Sequence, residues 1–185
     1  DKERAIEAFR KSASSNVDME LKGEAKFLCT KLEFDLNRKA ENMKEILNIE
    51  SLTQKQRDEL YFYIASSQID SGNYKMAVLT LKKIKYPDRE ATSTLQKVLF
   101  LGGMRGISRG SYKNAAPLFN DALKFRGFNN YIEIMSQYWL AECYYRLNKY
   151  HSALNILREL QSDSSFKKSN KYADSFFDSG YCLFK

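Results

Sequence analysis

Tyr61 to Ile84 reads YFYIASSQIDSGNYKMAVLTLKKI. The same order of residue classes returns from Leu99 to Ala122 (LFLGGMRGISRGSYKNAAPLFNDA) and from Gln137 to Leu160 (QYWLAECYYRLNKYHSALNILREL), and starts once more at Phe176 (FFDSGYCLFK). In each full copy an aromatic stands three residues before a small residue: Tyr74 and Ala77, Tyr112 and Ala115, Tyr150 and Ala153. A large apolar residue follows four later (Leu81, Phe119, Leu157), and another apolar one three after that (Ile84, Ala122, Leu160). Twelve residues before each alanine lies a second small residue, Ala65, Gly103 or Ala141, with Gly180 in that place in the last copy. The alanines recur at intervals of 38, and self-similarity at a period of this size marks a stacked repeat.

The spacing has a physical reading. Small residues at matched places on two helices let the backbones approach, and large residues one and two turns on fill the groove beside them. Gly72-Asn73, Gly110-Ser111 and Asn148-Lys149 fall between the two halves of each copy. Gly or Asn there accommodates the left-handed backbone that ends a helix, so each copy is expected to be an antiparallel helix pair. Working outward, helices are expected over 2–13, 19–35, 38–49, 54–71, 74–85, 89–109, 112–126, 130–148, 151–162 and 170–185. The Ser/Lys-rich stretch 162–170 is read as a loop. Pro117 comes early in its helix, where its missing N–H costs least. Only two prolines and eight glycines interrupt the chain, which suits helix and not an all-β fold.

At this point the chain resembles the tetratricopeptide repeat (TPR) family, on the order of small residue, aromatic and alanine just quoted. The family period is about 34 residues, so these copies are long by about four. That length is similar to bacterial long-period members. The resemblance implies an all-α, right-handed superhelical solenoid of about ten helices, TPR-like throughout and forming one domain over 1–185. Its parts are expected to be a half-repeat 1–17, a degenerate repeat 18–50 with Ala40 as marker alanine, full repeats 54–87, 89–127 and 130–162, and a half-repeat 170–185. It also implies that first helices line a concave face.

In this sequence the residues at the groove places of those first helices are Phe62, Ser66 and Ile69; Phe100, Met104 and Ile107; Tyr138, Glu142, Tyr145 and Arg146; and Phe177 and Tyr181. Phe62, Phe100, Tyr138 and Phe177 form one aromatic column. It either faces a partner's apolar anchors or packs between neighbouring repeats, and the exposure of Phe62, Phe100 and Tyr138 decides between these. The function expected is a protein-interaction scaffold that binds a peptide or protein at this face. The alternative is a basic helical surface for single-stranded RNA or other nucleic acid. The Lys and Asn clamp by which family members hold a chaperone's C-terminal tail is not repeated here.

The net charge of +7 permits nucleic acid, but thirty basic residues are interleaved with twenty-three acidic ones as on solvated helix faces. No polar set recurs at base-reading places, which disfavours that partner. Cys29, Cys143 and Cys182 show no metal spacing, and His151, the one histidine, has no ligand or base partner at motif distance. No phosphate loop or nucleophile elbow is present. No catalytic residue, metal or cofactor is therefore expected. No apolar run reaches the length of a membrane span. Gly102, Gly103 and Gly106 cost their helix roughly 2–3 kcal/mol against alanine. They are read either as a site of close helix packing or as a flexible joint. The first residue is Asp1 and the last stretch is an apolar helical pattern, which is read as a segment of a longer protein. Self-association through the C-terminal helix is a further expectation, and a bacterial cell envelope or periplasm is favoured over the cytoplasm by resemblance.

Overall fold

A computed structural model describes residues 1–14, 18–38, 40 and 42–185. The end of the expected half-repeat 1–17, and Lys39 and Glu41 of the expected helix 38–49, lie outside the described residues. Among the described residues all regular structure is helical: α1 (Lys2–Ser14), α2 (Met19–Asn37), α3 (Met43–Ile46), α4 (Gln54–Asp70), α5 (Tyr74–Leu81), α6 (Arg89–Ser108), α7 (Tyr112–Ala122), α8 (Asn130–Arg146), α9 (Tyr150–Ser162) and α10 (Tyr172–Phe184). The chain divides into two compact units, Asp1–Ala91 and Thr92–Lys185.

The turns between paired helices form as their residues require. Gly72, Gly110 and Asn148 all take positive φ, at 73°, 66° and 59°. The next amide in each case reaches back over the turn, Asn73 to Gln68 O at 2.7 Å, Ser111 to Gly106 O at 2.9 Å and Lys149 to Tyr144 O at 2.8 Å. These bonds satisfy carbonyls that the helix end would otherwise leave unpaired. Arg38 adopts the same conformation at φ 58° and donates its amide to Phe34 O. Counted from that turn, Met43 stands where Ala77 stands in the next copy. Met43 is fully buried and opens α3, while Ala40 precedes that helix.

In unit 1, α1 packs on α2, α4 packs on α5, and α3 lies against both α2 and α4. Phe27, Phe34, Met43, Leu52, Leu60 and Ile64 form its core. The expected helix 38–49 is regular only over Met43–Ile46. Beyond it the backbone turns, and the Arg57 guanidinium on α4 donates to the carbonyls of Leu47 and of Ile49, the latter at 2.7 Å. Thr53 and Gln56 close a capping box that starts α4.

In unit 2, α6 and α7 meet through their small residues. A Cβ built on Gly103 would lie 2.6 Å from the Phe119 ring, and one on Gly106 would lie 2.8 Å from the Ala115 Cβ. Close packing is therefore what these two glycines serve. Phe119 is fully buried, with Ala115, Ala116, Leu140 and Cys143 around it. α8 and α9 close over Met135, Tyr138, Ala141, Ala153, Leu157 and Leu160. The polar stretch read as a loop contains a 3-10 turn, Phe166–Lys168, and Phe166 is buried in this core. Asp163 fixes the turn by accepting from the amides of Ser165 at 2.7 Å and Phe166 at 2.9 Å.

α5 and α7 each end four residues before the expected limits of 85 and 126, and the cause repeats. Asp58 on α4 accepts from the amides of Lys85 (2.9 Å) and Tyr86 (3.0 Å), and Gln96 on α6 donates to Phe125 O (2.8 Å). Asp58 and Gln96 are 38 residues apart, so they hold the same place in successive copies. A backbone group held by a side chain is unavailable to the helix ladder, and the last turn unwinds. The next residue in this series is Ile134, which is buried and apolar, and α9 runs on to Ser162 as expected.

Candidate partner-binding cleft

A cleft of about 570 Å³ lies between α8 and α10 in unit 2. Tyr138, Trp139, Glu142, Tyr145 and Arg146 line it from α8. Lys171 and, on α10, Ala173, Asp174, Phe177, Asp178 and Tyr181 line it from the other side. Successive turns of each helix place these side chains one above another on one face.

Tyr138 anchors the floor. Its ring is 5% exposed and packs against Trp139 and Phe166, at centroid distances of 5.2 and 6.1 Å. Its hydroxyl donates to Asp178 Oδ2 at 3.0 Å. Burial raises the Tyr138 pKa above its ordinary value, and the charge of Asp178 raises it further, so the phenol keeps its proton and acts as a donor. Asp178 is itself raised, first by burial and then by Glu142 and Asp174. The Tyr138 hydrogen bond and Lys171 oppose that shift without cancelling it.

Both cations of the cleft are engaged. Arg146 Nε donates to Glu142 at 2.7 Å and its guanidinium lies 5.8 Å from the ring centres of Tyr112 and Tyr145. Lys171 Nζ bonds Asp174 at 2.7 Å and sits over Tyr138 and Trp139. Asp178 pairs with the Tyr138 hydroxyl and forms no ion pair with a described cation. Phe177 and Tyr181 form the rim. Their rings stack edge-on at 4.8 Å, and they are 67% and 45% exposed. Tyr145 faces Tyr181 at 6.5 Å.

Six of the twelve residues expected from the repeat places meet here: Tyr138, Glu142, Tyr145, Arg146, Phe177 and Tyr181. Phe100, Met104 and Ile107 are half-buried and pack on the core between α6, α7 and α8. Phe100 lies edge-on to Phe119 at 5.9 Å. Phe62, Ser66 and Ile69 belong to α4 in unit 1, where Phe62 and Ile69 are half-buried and Ser66 is buried, donating to Phe62 O at 2.9 Å. The aromatic column is thus buried at Tyr138, half-buried at Phe62 and Phe100, and exposed at Phe177.

The repeat places passed over Asp174, Asp178, Lys171 and Trp139. Asp174 and Asp178 stand one turn apart and flank Phe177, an i, i+4 acidic pair that a helical projection of 172–184 displays.

Chemistry of other kinds finds few parts. Burial pushes the Cys143 thiol up to about 12, and it raises Cys29 and Cys182 as well, so these sulfurs stay protonated. Among the described residues no three His, Cys, Asp or Glu side chains cluster to hold a metal ion, and no helix is long and apolar enough to cross a membrane.

Helix pairs joined by left-handed turns and interlocked through small residues define an all-α protein of the helical-repeat class. The model of a family described as anaphase-promoting complex, cyclosome, subunit 3 matches residues 108–180, the stretch that carries α7, α8, α9 and most of the cleft. That is a TPR-type repeat family, which the chain resembles over those residues, and the all-α helix pairs of the chain are TPR-like in fold. Neither the curated proteins nor the solved structures hold a match to it. TPR-like repeats typically mediate protein–protein interactions and generally serve as non-enzymatic scaffolds.

Proposed function

We propose that this chain is a non-catalytic interaction module whose α8–α10 cleft seats an extended peptide segment of a protein partner. An apolar or aromatic side chain of the peptide rests on Phe177 and Tyr181, and a cationic one reaches Asp178. The observation that carries this reading is the state of Asp178. It is a half-buried carboxylate at the cleft, hydrogen-bonded by a phenol and eased only by the nearby charge of Lys171, which forms its own ion pair with Asp174, beside two exposed aromatic rings. A peptide cation there offsets the unfavourable burial of the charge, and the rings supply apolar contact at low entropic cost. Nucleic acid gains no support at this cleft, where Glu142, Asp174 and Asp178 outnumber Arg146 and Lys171.

The test is fluorescence polarisation with labelled peptides selected from a random library on the chain. Selected sequences should carry Lys or Arg next to a large apolar residue. Asp178→Asn should weaken them about tenfold, and Phe177→Ala by a similar factor, each close to 1.4 kcal/mol. Asp178→Asn should leave the fold intact. A carboxyl whose folded pKa is raised is a burden once ionised, and stability is regained as pH falls through that folded pKa. Affinity unchanged in both variants would remove the cleft from consideration.

A further inference from the structure

The cleft already holds an ammonium, and it belongs to the chain. Lys171 stands just before α10 and reaches in, with Nζ 5.7 Å from the Trp139 ring centre, 5.8 Å from that of Tyr138 and 2.7 Å from Asp174 Oδ2. Its side chain is 28% exposed, less than the 48% of the carboxylate it pairs with. A lysine covered to this degree has exchanged water for two ring faces and a carboxylate, which attract a cation more strongly as solvent is thinned. The hold is weak all the same. The pair is three residues apart along one chain and ends on a flexible stem, and such pairs contribute little. The backbone of Lys171 is held separately, its amide by Ser169 Oγ and its carbonyl by the amide of Ser175.

We infer that Lys171 is a built-in stand-in for a lysine of the protein partner, and that the partner's ammonium enters the cleft by displacing it. This rests on the peptide reading of the cleft and narrows it in two ways. The cation is a lysine and not an arginine. Asp178 Oδ2 already accepts the Tyr138 hydroxyl at 3.0 Å, so this carboxylate has no free pair of oxygens for the parallel bonds of a guanidinium. An ammonium is a point charge that needs one oxygen and a ring face, as Lys171 shows at Asp174 and Trp139. The seat is also closed by the chain itself. When Lys171 swings out, the incoming ammonium meets both ring faces, with Asp174 and Asp178 one turn apart beside them. A seat closed about nine-tenths of the time weakens its ligand about tenfold.

Trp139 is the one tryptophan of the chain, so its indole N–H gives one signal in a nitrogen–proton correlation spectrum that needs no assignment. Titration with n-butylammonium, which is a lysine side chain without its backbone, and with n-butylguanidinium reads the seat without any peptide. In Lys171→Ala, n-butylammonium should move that signal at about a tenth of the concentration that the unsubstituted chain requires. n-Butylguanidinium should bind several-fold more weakly. As a second reading, n-butylammonium should raise the melting temperature of Lys171→Ala more than that of the unsubstituted chain. Equal affinity in the two chains overturns the stand-in, and equal affinity for the two cations overturns the choice of lysine. Peptides selected on the chain separate this inference from the reading beneath it. If they respond to Asp178→Asn and not to Lys171→Ala, the peptide cleft stands and the stand-in falls. If n-butylammonium gains tenfold in Lys171→Ala while the peptides ignore Asp178→Asn, the peptide reading falls and takes the partner's lysine with it, leaving the ammonium seat.

Discussion

In Asp1–Ala91 charged side chains tie down the irregular segments, whereas in Thr92–Lys185 the helices interlock by volume. Arg57 holds the carbonyls that follow α3, Asp58 holds the amides that follow α5, and Lys31 on α2 bonds Glu59 on α4 at 2.5 Å. The second unit instead places Gly103 under Phe119 and Gly106 against Ala115, and its long-range backbone clamps are the neutral amides of Gln96 and Gln161, with Asp163 holding only the turn next to it. Both arrangements solve one problem, which is to hold antiparallel helices when the turn or the second helix is too short to do so alone. A charged clamp tolerates an imperfect copy, because a long side chain reaches across missing helix. A steric interlock requires the right volumes at the right places, and it is found where the copies are regular.

Removing volume from the second unit should therefore have the largest effect. Phe119→Ala should cost about 4 kcal/mol in urea unfolding, through lost burial and the cavity left over Gly103. Gly103→Ala alone should destabilise, because the new methyl meets the Phe119 ring. Gly103→Ala with Phe119→Leu should recover part of the loss, since it recreates the Ala65 with Leu81 and Ala141 with Leu157 pairs of the other copies. Additive single effects would break the interlock account.

Arg57→Met should come next, at about 2 kcal/mol, by leaving the carbonyls of Leu47 and Ile49 without their charged donor. Amide hydrogen exchange should rise across 43–52 and stay unchanged in the second unit.

Asp58 should make the first unit sensitive to acid. Burial alone would raise its pKa, but the amides of Lys85 and Tyr86, the Gln54 side chain and the charge of Lys85 outweigh it, and the folded value lies below the ordinary one. A depressed carboxylate stabilises fully above its unfolded pKa, near 3.9, and that stability is lost as pH falls through the folded value. Asp58→Asn should cost about 1 kcal/mol at neutral pH and flatten this loss below about pH 4. Thermal melts from neutral pH downward measure both.

The smallest effect is expected at the turns. Asn148→Gly should stabilise the second unit by a few tenths of a kcal/mol, roughly the cost of holding a side chain at φ 59°. Destabilisation would show that the bond from the Tyr150 hydroxyl to Asn148 Oδ1, 2.7 Å long, matters more than backbone ease.

Half of the groove residues read from the repeat places gather in the α8–α10 cleft. The rest stay with α4 and α6, and the reason is local. A repeat place specifies which way a residue points from its own helix. It does not specify how far the next helix stands off, and that distance decides whether an aromatic such as Phe100 packs on Phe119 or lines a cleft like Tyr145. Asp178 went unread for a related cause. Its importance comes from the Tyr138 hydroxyl forty residues earlier, a contact outside any local pattern.

The sequence by itself determined the helical class, the pairing of helices and the position of three turns, because each rests on local properties: apolar spacing, small residues at matched places, and Gly or Asn where φ turns positive. Tertiary structure alone decided where α5 and α7 stop, that Met43 and not Ala40 opens the short α3, and that Phe166 leaves a polar stretch to enter the core. Those outcomes depend on which backbone groups and cavities a distant side chain can reach. Aromatic identity marked Phe177 and Tyr181 in advance, but only the packing of α10 on α8 and α9 set them beside Asp178 at a cleft.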